Sequence, residues 1–149
     1  MIAFLKGRLV RKEPAFVIID VNGVGYQVLI SLNTYSAIKD QEDITLNTVL
    51  VVREDAHLLY GFATGAEKQL FQHLVSVNGV GPGTAIMVLS SMDPGDLKQA
   101  ILRGDVHSLQ AVKGIGAKTA QRLILELGDK LRKDGPDAAA PVEIGRAHV

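Results

Sequence analysis

Val77-Asn78-Gly79-Val80-Gly81-Pro82-Gly83-Thr84-Ala85 and Val112-Lys113-Gly114-Ile115-Gly116-Ala117-Lys118-Thr119-Ala120 are two copies of one segment, 35 residues apart. Five of the nine positions are identical: Val77/Val112, Gly79/Gly114, Gly81/Gly116, Thr84/Thr119 and Ala85/Ala120. Each copy follows one stretch of helical apolar spacing and begins another. The predicted shape is helix, Gly-apolar-Gly hairpin, helix, made twice.

That shape suits a phosphate. The first turn of a helix leaves about four backbone N–H groups without intrahelical partners, and the helix dipole adds partial positive charge there. Two glycines let the backbone turn tightly and let a bulky anion approach without meeting a Cβ. Val80 or Ile115, between the glycines, can plug inward and hold the hairpin. Two copies can grip two phosphates of one backbone without reading bases. A single Gly-x-Gly is more often only a tight helix–helix turn; the same Thr-Ala continuation in both copies favours the phosphate. Lys118 and Arg122 lie four apart on the last helix, hence on one face, and are expected to add charge beside the second hairpin. The candidate phosphate-binding set is Gly79, Val80, Gly81, Gly83, Gly114, Ile115, Gly116, Lys118 and Arg122.

The helical pattern extends in both directions. Thr64-Gly65-Ala66-Glu67 reads as a capping box, with the Glu side chain reaching back to the cap. Leu70, Phe71, Leu74 and Val75 continue the period. Pro82 opens Gly83–Ser90, Asp93-Pro94 opens a helix ending near Arg103-Gly104, and Asp105 caps a short one. Ala117–Lys133 is the longest, with a stripe of Ala120, Leu123, Ile124, Leu127 and Leu131. Before Thr64 the pattern is β. Ile2–Val10 and Ala15–Val21 precede Asn22-Gly23, the strongest hairpin signal. Tyr26–Ile30 alternates, and Thr34–Lys39 allows a short helix. Ile44–Val52 places Ile44, Leu46, Leu50 and Val52 on one side, Arg53-Glu54-Asp55-Ala56 turns, and His57–Phe62 returns. Five strands in about 60 residues predict a small closed barrel, for which the OB-fold is the commonest solution. The fold class is therefore α+β: a barrel at 1–63, helices at 64–134, and a linker or truncated tail at 135–149, where Gly-Pro-Asp-Ala-Ala-Ala-Pro lacks any core pattern.

Composition narrows the function. With no Cys among 149 residues, disulfides, Cys-ligated zinc and Cys-ligated iron–sulfur clusters are excluded. The 16 Lys+Arg balance 16 Asp+Glu, so this is not a basic protein that coats any polyanion. Residues 64–134 hold 9 Lys+Arg against 7 Asp+Glu, which leaves room for a local basic face. Lys6 and Arg8 interrupt any signal-peptide core, and no apolar run approaches the roughly 18 residues of a membrane span. The expected setting is a cytoplasm. Gly114–Thr119 is similar to the end of a P-loop, but Ala117 and Val112 stand where that motif needs Gly. The four His have no ligand spacing, and no G-x-S-x-G or catalytic carboxylate frame occurs. No catalytic residue, metal or cofactor is expected.

The hairpins resemble the helix–hairpin–helix motifs of non-specific DNA-binding proteins. With the string Val51-Val52-Arg53-Glu54-Asp55-Ala56-His57-Leu58-Leu59-Tyr60-Gly61-Phe62 ahead of them, residues 1–134 resemble the RuvA family. These bacterial subunits bind Holliday junctions for branch migration. The resemblance implies a homotetramer or octamer whose barrels oligomerise and whose helical domains hold a four-way junction open and planar by its phosphates. It implies a role in recombination and DNA repair beside the nucleoid, with a RuvB-type hexameric ATPase and a RuvC-type resolvase as further partners. It also makes Glu54 and Asp55 an acidic pin at the centre of the assembly; without it they read as an ordinary polar turn.

Two departures from the family pattern stand out. Gly83 occupies a place that is commonly basic, so the first hairpin is expected to grip through backbone N–H groups alone. The family's third, motor-binding domain would begin where this chain stops, so coupling to the ATPase is expected to be lost. Two other readings compete. Lys118 also stands where helix–hairpin–helix glycosylase/lyases place a nucleophile, although those enzymes need an Asp from a further helix and a larger body. The barrel could alternatively bind single strands, stacking bases on Phe4, Tyr26 or Phe62, although these positions are more often core.

Overall fold

The computed structural model describes residues 1–134; the predicted linker or tail at 135–149 lies outside them. Contacts divide the chain after Lys68 into two units. The first is a closed barrel of β1 (Phe4–Lys12), β2 (Phe16–Val21), β3 (Val24–Ile30), β4 (Asp43–Val52) and β5 (His57–Phe62), with α1 (Leu32–Ile38) between β3 and β4. The order around the barrel is β1-β2-β3-β5-β4. It closes through an antiparallel β1–β4 pair and a short parallel β3–β5 pair, Leu29 with Tyr60 and Ile30 with Gly61. This is the α+β arrangement expected from the strand pattern, barrel first and helices after.

The strands form where alternation puts branched apolar residues on one face. Leu5, Leu9, Val17, Ile19, Val28, Ile30, Ile44 and Leu46 fill the barrel, and Ile38 of α1 joins them. Asn22 and Gly23 take φ of 52° and 92°, the two positive values of a type I′ turn, and Val21 pairs directly with Val24. β3 therefore begins two residues before the expected Tyr26. β4 departs from its predicted face. Ile44 and Leu46 are buried, Leu50 is half-buried, and Val52 is 62% exposed, because the β4–β5 hairpin runs beyond the barrel's core.

The second unit is helical. Its elements are the remainder of α2 (Gly65–Val75), then α3 (Pro82–Ser91), α4 (Pro94–Arg103), α5 (Val106–Gln110) and α6 (Ala117–Asp134). Their ends follow local chemistry. Asp93 caps α4 by accepting from Asp96 N, and Asp105 caps α5 by accepting from Ser108 N. Gly104 ends α4 in the left-handed region at φ 68°. α6 packs its stripe of Ala120, Leu123, Leu127 and Leu131 inward, with Ile124 half-buried at the margin, and it contacts both α4 and α5. Among the described residues no helix is long and apolar enough to cross a membrane.

Candidate nucleic-acid interface

Both hairpins have one backbone. Val80 N donates to Val77 O at 3.1 Å, and Ile115 N donates to Val112 O at 3.1 Å. Gly79 and Gly114, at the third position of these turns, take φ of 92° and 93°. That left-handed angle strains any residue with a Cβ and explains these two glycines. The helices then start alike, with Ala85 N on Gly81 O and Ala120 N on Gly116 O, both at 2.9 Å. Val80 and Ile115 are buried at 5% and 6% exposure, so they plug inward as expected.

The structure gives a reason for four of the five repeated identities. Val77 and Val112 are buried, and Ala85 and Ala120 are fully so. Thr84 and Thr119 lie against the opposite hairpin. A Cβ at Gly79 would stand 3.9 Å from Thr119 Oγ1, and one at Gly114 would stand 3.8 Å from Thr84 Cγ2. The contacts are reciprocal, so the two copies face one another about a local twofold relation. The fifth identity, Gly81/Gly116, has no such reason. Neither takes a positive φ, and a Cβ at either would meet nothing within 4 Å. Gly81 caps α3 in an extended conformation with no side-chain cap bond, so the first N–H groups of that helix receive no capping oxygen. The fold tolerates a side chain at both places. What a side chain would obstruct is the approach of an anion to the helix start.

Gly83 is exposed and likewise open to a Cβ. Lys118 is exposed on the first turn of α6, beside the second hairpin. Arg122 is placed differently from expectation. Its Nη1 donates to Asn78 O of the first hairpin at 3.4 Å, across 44 residues of sequence. One helical turn separates Lys118 from Arg122, and the reciprocal packing brings the other hairpin to that second turn.

In the barrel unit, Glu54 and Asp55 form the exposed tip of the β4–β5 hairpin, closed by Arg53 N on Ala56 O at 2.8 Å. Tyr26 is half-buried and Phe62 fully buried, so neither offers a free stacking face; Phe4 is 43% exposed. Glu67, outside the candidate site, departs from the capping box expected of it. Thr64 does cap α2, accepting from Glu67 N at 3.1 Å. The Glu67 carboxylate does not return to the cap. It is buried and accepts from Ser31 Oγ and Thr34 Oγ1, and Thr34 Oγ1 in turn accepts from Ala63 N. Burial pushes its pKa up, opposed by the two hydroxyl donors. No local signal marks this; the hydroxyls lie 33 and 36 residues away.

Comparison with known proteins agrees with both halves. Residues 1–61 match the family described as RuvA N terminal domain, and residues 71–129 match the SAM-like helix-hairpin-helix tandem. A protein of Cytophaga hutchinsonii is 56% identical over 134 residues, covering 90% of this chain and 67% of the relative. One of Christiangramia forsetii is 53% identical over 133 residues, covering 89% and 69%. One of Trichlorobacter lovleyi is 48% identical over 148 residues, covering 99% and 74%. Each is named Holliday junction branch migration complex subunit RuvA. A barrel followed by two reciprocal hairpins, matched over nine-tenths of its length at this identity, places the chain in the RuvA family.

Proposed function

We propose that this chain binds four-way junction DNA through its phosphates, without sequence preference, as a non-catalytic subunit of a branch-migration complex whose ATPase is a separate partner. The observation that carries this is the pair of glycines, Gly81 and Gly116, kept open at two facing helix starts where the fold does not require them. Backbone N–H groups there can hold two phosphates of one duplex arm, and Lys118 and Arg122 add charge-assisted contacts. Contacts of this kind carry no base information. Residues 64–134 are the DNA-binding part. Residues 1–63 are the part that assembles copies of the chain, as a tetramer or a pair of tetramers.

Glu54 and Asp55 act as the pin in this reading. Carboxylates near the phosphates of a crossover repel them, most strongly where water is partly excluded, and so favour DNA whose strands are already parted. Half-buried Tyr26 and buried Phe62 count against base stacking in the barrel, and the relatives' shared name speaks for junction binding over glycosylase/lyase chemistry. The test is gel-shift titration of a four-way junction against duplex of equal length, with the mass in solution measured alongside. Tighter junction binding, falling steeply with salt and equal for junctions of unrelated sequence, is the expected result. Equal affinity for duplex and junction, or strong differences among junction sequences, would overturn it.

A further inference from the structure

The two hairpins differ in where their cations come from. Between Lys68 and Lys98 the chain has no Lys or Arg, so the first hairpin and α3 provide none, and the only one on α2 is Lys68, in the first turn and away from the hairpin. At the 35-residue offset Lys118 corresponds to Gly83, and Arg122 corresponds to Met87. Lys113, in the second turn itself, corresponds to Asn78, so the first copy lacks all three basic positions of the second. Yet the first hairpin does have a guanidinium beside it. Arg122 Nη1 donates to Asn78 O at 3.4 Å and lies 4.0 Å from where a Gly79 Cβ would stand.

We infer that the second motif lends a cation to the first across their twofold relation: Lys118 serves the second hairpin, on its own helix, and Arg122 serves the first, from the opposite motif. This deepens the junction-binding reading and rests on it. A guanidinium has five N–H donors, and the bond to Asn78 O uses one. The others remain for a phosphate oxygen at the first hairpin, and the planar fork is held there in advance, so less rotamer entropy is lost on binding. A lysine, with a compact ammonium on a flexible stem, would be a poorer substitute at this place. Met87, the position of Arg122 in the first copy, returns no charge to the second hairpin, which already has Lys118. The second hairpin then has Lys113 in its turn and Lys118 on its helix, and the first has Arg122 from the opposite motif.

The experiment is a double-mutant comparison in the full chain, reading junction affinity and its salt dependence. Gly83→Lys installs in the first copy the residue that Lys118 is in the second, at a position where a Cβ meets nothing within 4 Å. The expected gain from Gly83→Lys is about tenfold in an Arg122→Met background, where it restores a salt slope reduced by about one. In the wild type and in a Lys118→Ala background the same change should gain little, because the first hairpin already has its cation. Thermal denaturation of each variant separates loss of binding from loss of fold. An equal gain from Gly83→Lys in all three backgrounds, or a gain only with Lys118→Ala, would overturn this role of Arg122. Failure of the wild type to prefer junctions would instead overturn the functional reading itself.

Discussion

Gly79 and Gly114 hold φ of 92° and 93°, and the bonds that close their turns match to 0.1 Å, yet Gly83 and Met87 stand in the first copy where Lys118 and Arg122 stand in the second. The two hairpins therefore share a backbone and not a charge. Backbone geometry is set by positive φ and by buried Val and Ala, and those positions are the same in both copies. Charge sits on exposed positions, Lys113 in the turn and Lys118 and Arg122 on α6, where the first copy has Asn78, Gly83 and Met87. The glycines divide the same way. Gly79 and Gly114 are needed by the turn, whereas Gly81 and Gly116 are free of any demand from the protein.

The largest effects should come from the turn glycines. Gly79→Val or Gly114→Val forces a β-branched residue into the left-handed region, at a cost of about 1–3 kcal/mol each. Urea denaturation should show that loss in both variants, and junction binding should fall about a hundredfold. A silent Gly79→Val beside a damaging Gly114→Val would break the equivalence of the two backbones. Next come Gly81→Val and Gly116→Val, which should leave the melting temperature within about 2 °C of wild type. Binding should drop by roughly tenfold or more, the worth of one or two hydrogen bonds to a charged group. Variants that instead unfold without any specific binding defect would return these glycines to a purely structural role.

Lys118→Ala should cost less than either glycine change, about three- to tenfold, with the salt slope falling by about one. A complete loss of binding with silent glycine variants would mean that charge, not backbone, makes the grip. Glu54→Gln with Asp55→Asn tests the contrasting tip of the barrel unit. Junction affinity should stay the same or tighten, and discrimination against duplex should narrow, measured at one fixed salt concentration. Weaker junction binding by a well-folded variant would count against a repulsive pin.

The smallest effect belongs to the barrel's buried carboxyl. Burial raises the pKa of Glu67 in the folded state above the ordinary 4.5. The native protein then binds this proton more readily than the unfolded chain. Its influence on stability is most favourable below pH 4.5 and declines as pH rises through the raised folded value. Glu67→Gln should flatten that part of the pH profile in denaturant titrations while leaving salt-dependent DNA binding unchanged. An unaltered profile would show that the hydroxyls of Ser31 and Thr34 fully offset the burial.

Much was legible in the residues because it depends on local angles and local spacing. Asn22-Gly23 dictated the β2–β3 turn and Gly79 and Gly114 dictated hairpins through positive φ that few other residues adopt, and Asp93 and Asp105 dictated caps through short side chains that accept from an N–H three residues on. The apolar stripe of α6 followed from a 3.6-residue period, and Glu54-Asp55 fell at a turn between two readable strands. Tertiary packing decided the rest. It took the Glu67 carboxylate from its own helix cap to two hydroxyls on or beside α1, swung Arg122 to the opposite hairpin, and closed the barrel through a two-residue parallel pair. Those choices join residues roughly 30 to 45 positions apart, and no local preference of a side chain fixes which distant group it will meet once the core is packed.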